Sequence, residues 1–151
     1  MNDPTTLISL RPVTQENFRQ VIQLKVREDQ KGFVATNAES LAEAYVFPYR
    51  YPLAIYADEI PIGFLMYVHL EERQQHWIFR LMITAENQGR GYGRTAMRLL
   101  IERMHAIPGC NQIYISYEPE NDVARKLYGS LGFRITGEIF EGEEVACLDL
   151  T

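Results

Sequence analysis

Residues 88–93 read QGRGYG, which places glycines at positions 89, 91 and 93. The apolar run WIFRLMI (77–83) before them has the character of a strand, and RTAMRLLIERM (94–104) after them has the spacing of a helix. The glycines therefore lie where a strand turns into a helix. Such a turn is either a flexible bend or a binding site for an anion.

The anion-site interpretation rests on the chemistry of a helix start. The first turn of a helix exposes unpaired N–H groups with a partial positive charge, and glycines let a ligand approach them closely. Arg90 and Arg94 add full charges, and a pyrophosphate suits such a site. Neither a P-loop nor a dinucleotide fingerprint fits, because no lysine follows the glycines and position 94 is arginine. The hexapeptide alone leaves a plain glycine-rich turn equally open.

Composition excludes several classes of function. The chain of 151 residues fits one domain, 1–151, and its net charge of −5 argues against general nucleic-acid binding. Residues 88–103 nevertheless hold four arginines and one acid, a basic island at the glycine turn. Two cysteines and three histidines show no ligand spacing, so no metal is expected. We find no signal peptide or membrane span, and expect a soluble cytoplasmic protein.

The hydrophobic pattern predicts eleven elements in the order β-α-α-β-β-β-α-β-α-β-β, an α/β (α+β) fold with a mixed sheet. Strands are predicted at 7–11, 53–57, 62–70, 75–83, 112–116, 134–140 and 145–150. Helices are predicted at 15–28, 37–45 with Asn37 as the cap, 91–107 and 123–131. Arg80 interrupts an apolar strand; it faces solvent by alternation or pairs with an acid in a cleft, and we favour the first.

A second segment gives the glycine turn a context. Residues 121–133 read NDVARKLYGSLGF, which meets the pattern N-x-x-A-x-x-L-Y-x-x-x-G-F, and Gln88, Gly91 and Gly93 meet Q/R-x-x-G-x-G/A. With these two motifs and its element order, the chain resembles the GCN5-related N-acetyltransferase (GNAT) superfamily. The resemblance implies a single-domain acyl-CoA N-acyltransferase fold that uses acetyl-CoA as cosubstrate.

The resemblance also implies roles for particular residues. The pyrophosphate would lie on the turn formed by Gln88, Gly89, Arg90, Gly91, Tyr92, Gly93 and Arg94. The backbone of Leu81, Met82 and Ile83 would pair with the pantetheine arm, and an amide there would stabilise the oxyanion. Asn121 would contact the pantetheine from the other side. Tyr128 would protonate the departing thiolate.

The attacking amine needs a base or a water relay, because alkylammonium groups lose a proton only near pH 10. Candidates are Glu28, Glu71, Glu72 and Glu118, of which Glu28 is favoured because the family places its acceptor loop after the first helix.

Within the superfamily, residues 24–45 and 77–83 resemble bacterial spermine/spermidine (diamine) N-acetyltransferases, which implies a small-molecule amine acceptor, a polyamine. Acids at positions 28, 29, 39 and 43 would attract it, and Phe33, Tyr45 and Tyr49 would wall it. The alternatives are another amine (a protein N-terminus, an antibiotic or a small amine) and a catalytically silent acyl-CoA sensor. The family also implies a homodimer through the two C-terminal strands.

Overall fold

The computed structural model describes residues 5–151, and their element order is the predicted one. The strands are β1 Ile8–Pro12, β2 Arg50–Ala57, β3 Ile60–Leu70, β4 Gln75–Ile83, β5 Gln112–Tyr117, β6 Arg134–Phe140 and β7 Glu143–Asp149. The α-helices are α1 Phe18–Ile22, α2 Asn37–Val46, α3 Tyr92–His105 and α4 Asp122–Ser130. The predicted mixed α/β fold class is confirmed.

All strands lie in one sheet of order β1-β2-β3-β4-β5-β7-β6. Neighbouring strands are antiparallel except β4 and β5, which are parallel. The parallel register joins only residues 76–78 of β4 to residues 113–115 of β5. Beyond Ile78, the described residues of the two strands no longer pair, and the sheet opens toward the end of β4. This divergence creates the space in which the candidate site lies.

Both faces of the sheet are covered, and each has its own apolar core. One core joins the sheet to α3 and α4 through residues such as Met97, Leu100 and Tyr128. The other joins the sheet to α1 and α2, with Val21, Phe64 and Met82 among its members. Because helices cover both faces, the central strands have few exposed side chains, as expected for a sheet between two helical layers.

The first helix is shorter than predicted, ending at Ile22 instead of position 28. Leu24 and Val26 pack on the core from an irregular segment, and the carbonyl oxygen of Lys25 accepts a hydrogen bond from Ala85 N at 3.0 Å. This long-range hydrogen bond takes the place of the intrahelical bond that the Lys25 carbonyl oxygen would accept if the helix continued. The predicted cap of α2 was also wrong: Thr36 accepts a hydrogen bond from Glu39 N, whereas the buried side chain of Asn37 donates to Val21 O.

Arg80 corrects a further prediction. A register shift between β3 and β4 pairs Met66 with Arg80 but Tyr67 with Ile78, so Phe79 is an extra residue in β4. The bulge interrupts the alternation and turns Arg80 toward α2. There its guanidinium pairs with Glu43 at 2.6 Å and donates to Ser40 Oγ at 3.1 Å. The favoured prediction of a solvent-facing arginine is wrong, and the alternative of an acid partner is right.

Gly63 in β3 permits the close approach of β4 at the site. A Cβ added there would lie 2.4 Å from the Met82 carbonyl oxygen and 3.0 Å from Ile83 Cδ1. We expect Gly63→Ala to lower the free energy of unfolding by about 2–3 kcal/mol, measured by urea denaturation. The matched variant Gly129→Ala, in α4 with nothing within 4 Å, should stabilise slightly. A change below about 0.5 kcal/mol for Gly63→Ala would contradict this packing argument.

Candidate active site

A cavity of about 450 Å³ lies between the end of β4 and the N-termini of α3 and α4. Most of the residues predicted to hold the cofactor line it: Leu81, Met82, Ile83, Gln88, Gly89, Gly91, Tyr92, Gly93, Arg94, Asn121 and Tyr128. Two sequence motifs that are about 30 residues apart therefore meet in one cavity. We call it the cofactor cavity.

The start of α3 has the geometry of an anion site. Gly91, the N-cap, has φ +81°, and no side chain caps the first turn, which also lacks acids. By contrast, Thr36 and Asn121 cap α2 and α4 with side-chain oxygens. The first-turn amides of α3 have no carbonyl four residues earlier in the helix, and Gly93 and Arg94 line the cavity. An anion here would accept those hydrogen bonds and meet the positive end of the helix dipole.

The side chain of Gln88 fixes the position of this turn. Its amide nitrogen donates to Ile83 O at 2.8 Å and to Gln30 Oε1 at 2.7 Å. The turn is thus tied to the end of β4 and to the short 3₁₀ helix Glu28–Gln30. The main-chain N–H of Gln88 already donates to Ala85 O at 3.5 Å. The observed contribution of Gln88 is therefore the placement of the glycine turn.

Tyr128 occupies the boundary between two cavities. Its side chain is buried, and its ring lies 5.8 Å from that of Tyr117 and 6.0 Å from that of Phe133. Burial raises the pKa of the Tyr128 phenol well above its ordinary value, and the nearby Glu143 and Tyr117 raise it further. Within residues 5–151 its hydroxyl has no hydrogen-bond partner. The group is a protonated phenol at neutral pH, ready to donate to a ligand.

The second cavity, of about 350 Å³, shares six lining residues with the first: Phe33, Val34, Leu81, Asn121, Ala124 and Tyr128. We call it the acceptor cavity. Its carboxylates are Glu118, Glu141 and Glu143, and its one arginine, Arg80, is already paired with Glu43.

Glu143 is half-buried in the acceptor cavity, as Glu118 is, and it accepts a hydrogen bond from Ser116 Oγ at 2.7 Å. Sequence reasoning missed Glu141 and Glu143, because EGE at 141–143 carried only the signal of a hairpin turn. The turn is observed, with Glu141 at φ +50° and Gly142 at φ +83°.

Several predicted residues lie outside both cavities. Arg90 is exposed at the turn, and Glu28 is exposed and paired with Lys31 at 2.8 Å. Tyr92 lines the cofactor cavity, but its side chain is buried in the core of α3. Of the three aromatic residues expected around the acceptor, only Phe33 lines the acceptor cavity. Tyr45 is 92% exposed, and Tyr49 lines a different cavity.

Comparison with known proteins identifies the family of this chain. Residues 14–133 match the model of the acetyltransferase (GNAT) family. The chain belongs to this family. It is an N-acetyltransferase, and the predicted resemblance is confirmed. Within residues 5–151 no group of three or more His, Cys, Asp or Glu side chains is arranged to hold a metal ion. No helix of this part is long and apolar enough to span a membrane.

The relatives of this GNAT chain include enzymes named for polyamines. It is 29% identical over 150 residues to the spermine/spermidine N(1)-acetyltransferase of Bacillus subtilis, covering 95% of this chain and 99% of that protein. Its fold is similar to spermidine N-acetyltransferase from Vibrio cholerae in complex with CoA and spermine (TM-score 0.72, 18% identity, 93% and 92% coverage). It is also similar to PaiA N-acetyltransferase from Thermoplasma acidophilum in complex with coenzyme A (TM-score 0.71, 15% identity, 95% and 99% coverage).

Proposed function

We propose that this GNAT protein transfers the acetyl group of acetyl-CoA to a primary amine of a polyamine such as spermidine or spermine. Transfer occurs by direct attack in a ternary complex. The observation that carries the proposal is the meeting of two cavities at Tyr128, one at an uncapped helix start and one containing three carboxylates. The first suits an anionic carrier and the second a cationic acceptor. The names of the polyamine-acetylating relatives support the choice of acceptor.

In the proposed complex, the diphosphate of acetyl-CoA lies on the first-turn amides of α3, and Arg94 adds a positive charge. Arg90, exposed beside the turn, would contribute through its longer-range field. The pantetheine follows β4 beyond Ile78, where β5 no longer pairs with that strand. Its amides would bond to the backbone of Leu81–Ile83 in place of a strand. Asn121, at the opposite wall, keeps α4 capped and borders the arm.

The acceptor cavity supplies negative charge to the amine. Carboxylates at positions 118, 141 and 143 come from the loop after β5 and from the β6–β7 hairpin. A polyamine carries several ammonium groups, so one can be held by carboxylates while another, deprotonated, faces the thioester. The apolar surface of Phe33 and Val34 would contact the methylene chain between them.

The chemistry at the boundary is an acyl transfer. The amine nitrogen bonds to the thioester carbon, and the resulting oxyanion is stabilised by a backbone N–H of Met82 or Ile83. The C–S bond then breaks, the proton of the Tyr128 phenol passes to the thiolate, and the proton that the new amide nitrogen loses restores the phenol, directly or through water. The ammonium proton leaves earlier to a base or through water. Glu28 remains the base that the family resemblance favours, although the carboxylate of Glu143 borders the cavity and that of Glu28 does not.

A panel of acceptors incubated with radiolabelled acetyl-CoA tests the proposal. Spermidine and spermine should be acetylated with higher kcat/KM than diaminopropane, an aminoglycoside antibiotic or a peptide with a free N-terminus. Turnover of the peptide or the antibiotic alone would assign another amine as the substrate. Acetyl-CoA binding without turnover of any amine would favour a silent sensor.

Replacing Glu143 tests the cationic acceptor site. We expect Glu143→Gln to lower kcat/KM for spermidine about tenfold, mainly through KM, because one charge-assisted contact to an ammonium group is lost. The matched variant Glu102→Gln, which changes an exposed acid outside both cavities, should stay within about twofold. A larger fall in kcat for Glu28→Gln would instead support Glu28 as the base.

We further propose that the protein is a homodimer joined through its C-terminal strands. In support, β6 is an edge strand of the sheet, and its Ile135 and Ile139 side chains are 54% and 62% exposed. Exposed apolar side chains on an unpaired edge favour association with a second chain. Sedimentation velocity should give the mass of a dimer, and Ile139→Lys should shift it to that of a monomer. A monomeric wild-type chain at micromolar concentration would contradict this assignment.

A further inference from the structure

A third cavity, of about 530 Å³, lies at the other end of the sheet and has no part in the acetyl-transfer geometry. Its walls include Tyr49, Tyr51, Tyr67, His69, His76 and Glu71. His76 is the second residue of β4 and Ile83 is the last, so about 23 Å of strand separates this cavity from the cofactor cavity. We call it the aromatic cavity.

The rings of the aromatic cavity are arranged across three adjacent strands. Tyr51 stacks on its cross-strand partner Tyr67 with centroids 5.0 Å apart. His69 meets its partner His76 edge-on at 4.6 Å, and Tyr49 meets His69 edge-on at 6.0 Å. Tyr49 and Tyr51 are 46% and 41% exposed, so ring surface is available to a ligand. A group of this kind presents several aromatic rings, whose π faces are negative and whose edges are positive, to one space.

The charge of the lining is negative. Among the described residues that line the cavity there is one carboxylate, Glu71, and no lysine or arginine. Burial lowers the pKa of His76, and the neighbouring His69 lowers it further, so His76 is neutral at pH 7. A cation that enters the cavity therefore meets a carboxylate and aromatic rings without a fixed positive charge in its lining.

The backbone at the cavity is held in an uncommon conformation. Tyr49 has φ +61° and Gln74 has φ +52°, and both line the cavity. Such left-handed conformations cost about 1 kcal/mol or more for residues with a Cβ, and they concentrate at ligand sites. The other positive-φ residues with side chains in the described chain are Asp58, in the β2–β3 turn, and Glu141, which lies in the β6–β7 turn and lines the acceptor cavity.

We propose that the aromatic cavity binds an organic ammonium cation, which lies against the faces of Tyr51 and Tyr67 and pairs with the carboxylate of Glu71. Aromatic rings around a carboxylate bind alkylammonium and quaternary ammonium groups through cation–π attraction combined with ion pairing. The assignment is independent of the acetyl acceptor, because none of the three residues lines the acceptor cavity.

The test compares choline with 3,3-dimethylbutan-1-ol, its uncharged analogue, by NMR titration of the histidine ring resonances. Choline should shift the resonances of His69 and His76, and the neutral analogue should not. Tyr51→Leu and Glu71→Gln should each weaken choline binding about 2- to 30-fold, the range set by one cation–π or charge contact. Both side chains are exposed, so neither variant should impair folding.

Matched variants separate this site from the rest of the surface. Glu72→Gln changes the neighbouring exposed acid, which is not in the lining, and Tyr45→Leu changes an exposed tyrosine elsewhere. Both should leave choline binding unchanged, and so should Glu143→Gln in the acceptor cavity. Equal binding of the two ligands, or no binding of choline, would overturn the proposal. So would equal weakening by Glu71→Gln and Glu72→Gln, or loss of binding only in Glu143→Gln.

Discussion

Replacing Tyr128 with phenylalanine is expected to lower kcat about a hundredfold or more, while the dissociation constant for acetyl-CoA changes less than about twofold. The phenylalanine ring keeps the packing against Tyr117 and Phe133, so the cavity retains its shape. What is lost is the proton that the phenol gives to the departing thiolate. Steady-state kinetics with spermidine, combined with calorimetric titration of acetyl-CoA, measure both quantities.

The pKa of Tyr128 determines where this acid operates. Burial raises the phenol pKa above its ordinary value near 10, so the group remains protonated throughout the range in which the amine acceptor loses its proton. The wild-type kcat should therefore rise from pH 7 toward pH 10 without a decline caused by deprotonation of Tyr128. Tyr128→Phe should show the same rise at a lower plateau. A decline of the wild-type rate near pH 8 would contradict the assignment of the phenol as the proton donor.

Tyr117→Phe is the matched control, because it removes a hydroxyl from a buried tyrosine whose ring lies 5.8 Å from that of Tyr128. Tyr117 lines the acceptor cavity but not the cofactor cavity. Removing its hydroxyl group should therefore lower kcat less than about fivefold. Equal losses in the two variants would indicate a packing effect rather than proton donation.

The region from β4 to α3 was predictable because its signals are local. Strand β4 was predicted at its observed bounds, and α3 begins one residue later than predicted, after the Gly91 cap. The apolar run, the three glycines and the helical stripe of Met97, Leu100 and Met104 all lie within 28 consecutive residues. Each indicates its own element without help from the rest of the fold.

The errors arose where distant contacts decide the structure. The segment after α1 has apolar residues that fit a helix, but the bond from Ala85 N to Lys25 O holds it out of one. A bulge at Phe79 changed the direction of Arg80, and no periodicity marks a bulge in advance. Glu143 enters the acceptor cavity because β7 pairs with β5, a neighbourhood that sequence spacing does not reveal. The glycine turn and Tyr128 were found because motifs carry them.

Gly91→Ala is expected to weaken acetyl-CoA binding about 30-fold or more. At φ +81° an alanine is strained by about 1–2 kcal/mol, so the turn would relax and displace the first-turn amides of α3. Each hydrogen bond from those amides to a charged phosphate contributes about 1.5–3 kcal/mol, so losing one suffices for the expected change. Calorimetric titration with acetyl-CoA measures the effect.

Two controls separate loss of the anion site from general strain. Gly142→Ala introduces the same strain at φ +83° in the β6–β7 turn, with nothing within 4 Å, and should leave the affinity for acetyl-CoA unchanged. Acetyl-pantetheine, which lacks the diphosphate, should bind the wild-type protein and Gly91→Ala equally. If Gly91→Ala weakened both ligands alike, the glycine turn would be needed for the shape of the cavity rather than for holding the diphosphate. If it weakened neither, the uncapped start of α3 would not be the anion site, and the proposed position of the cofactor would fail.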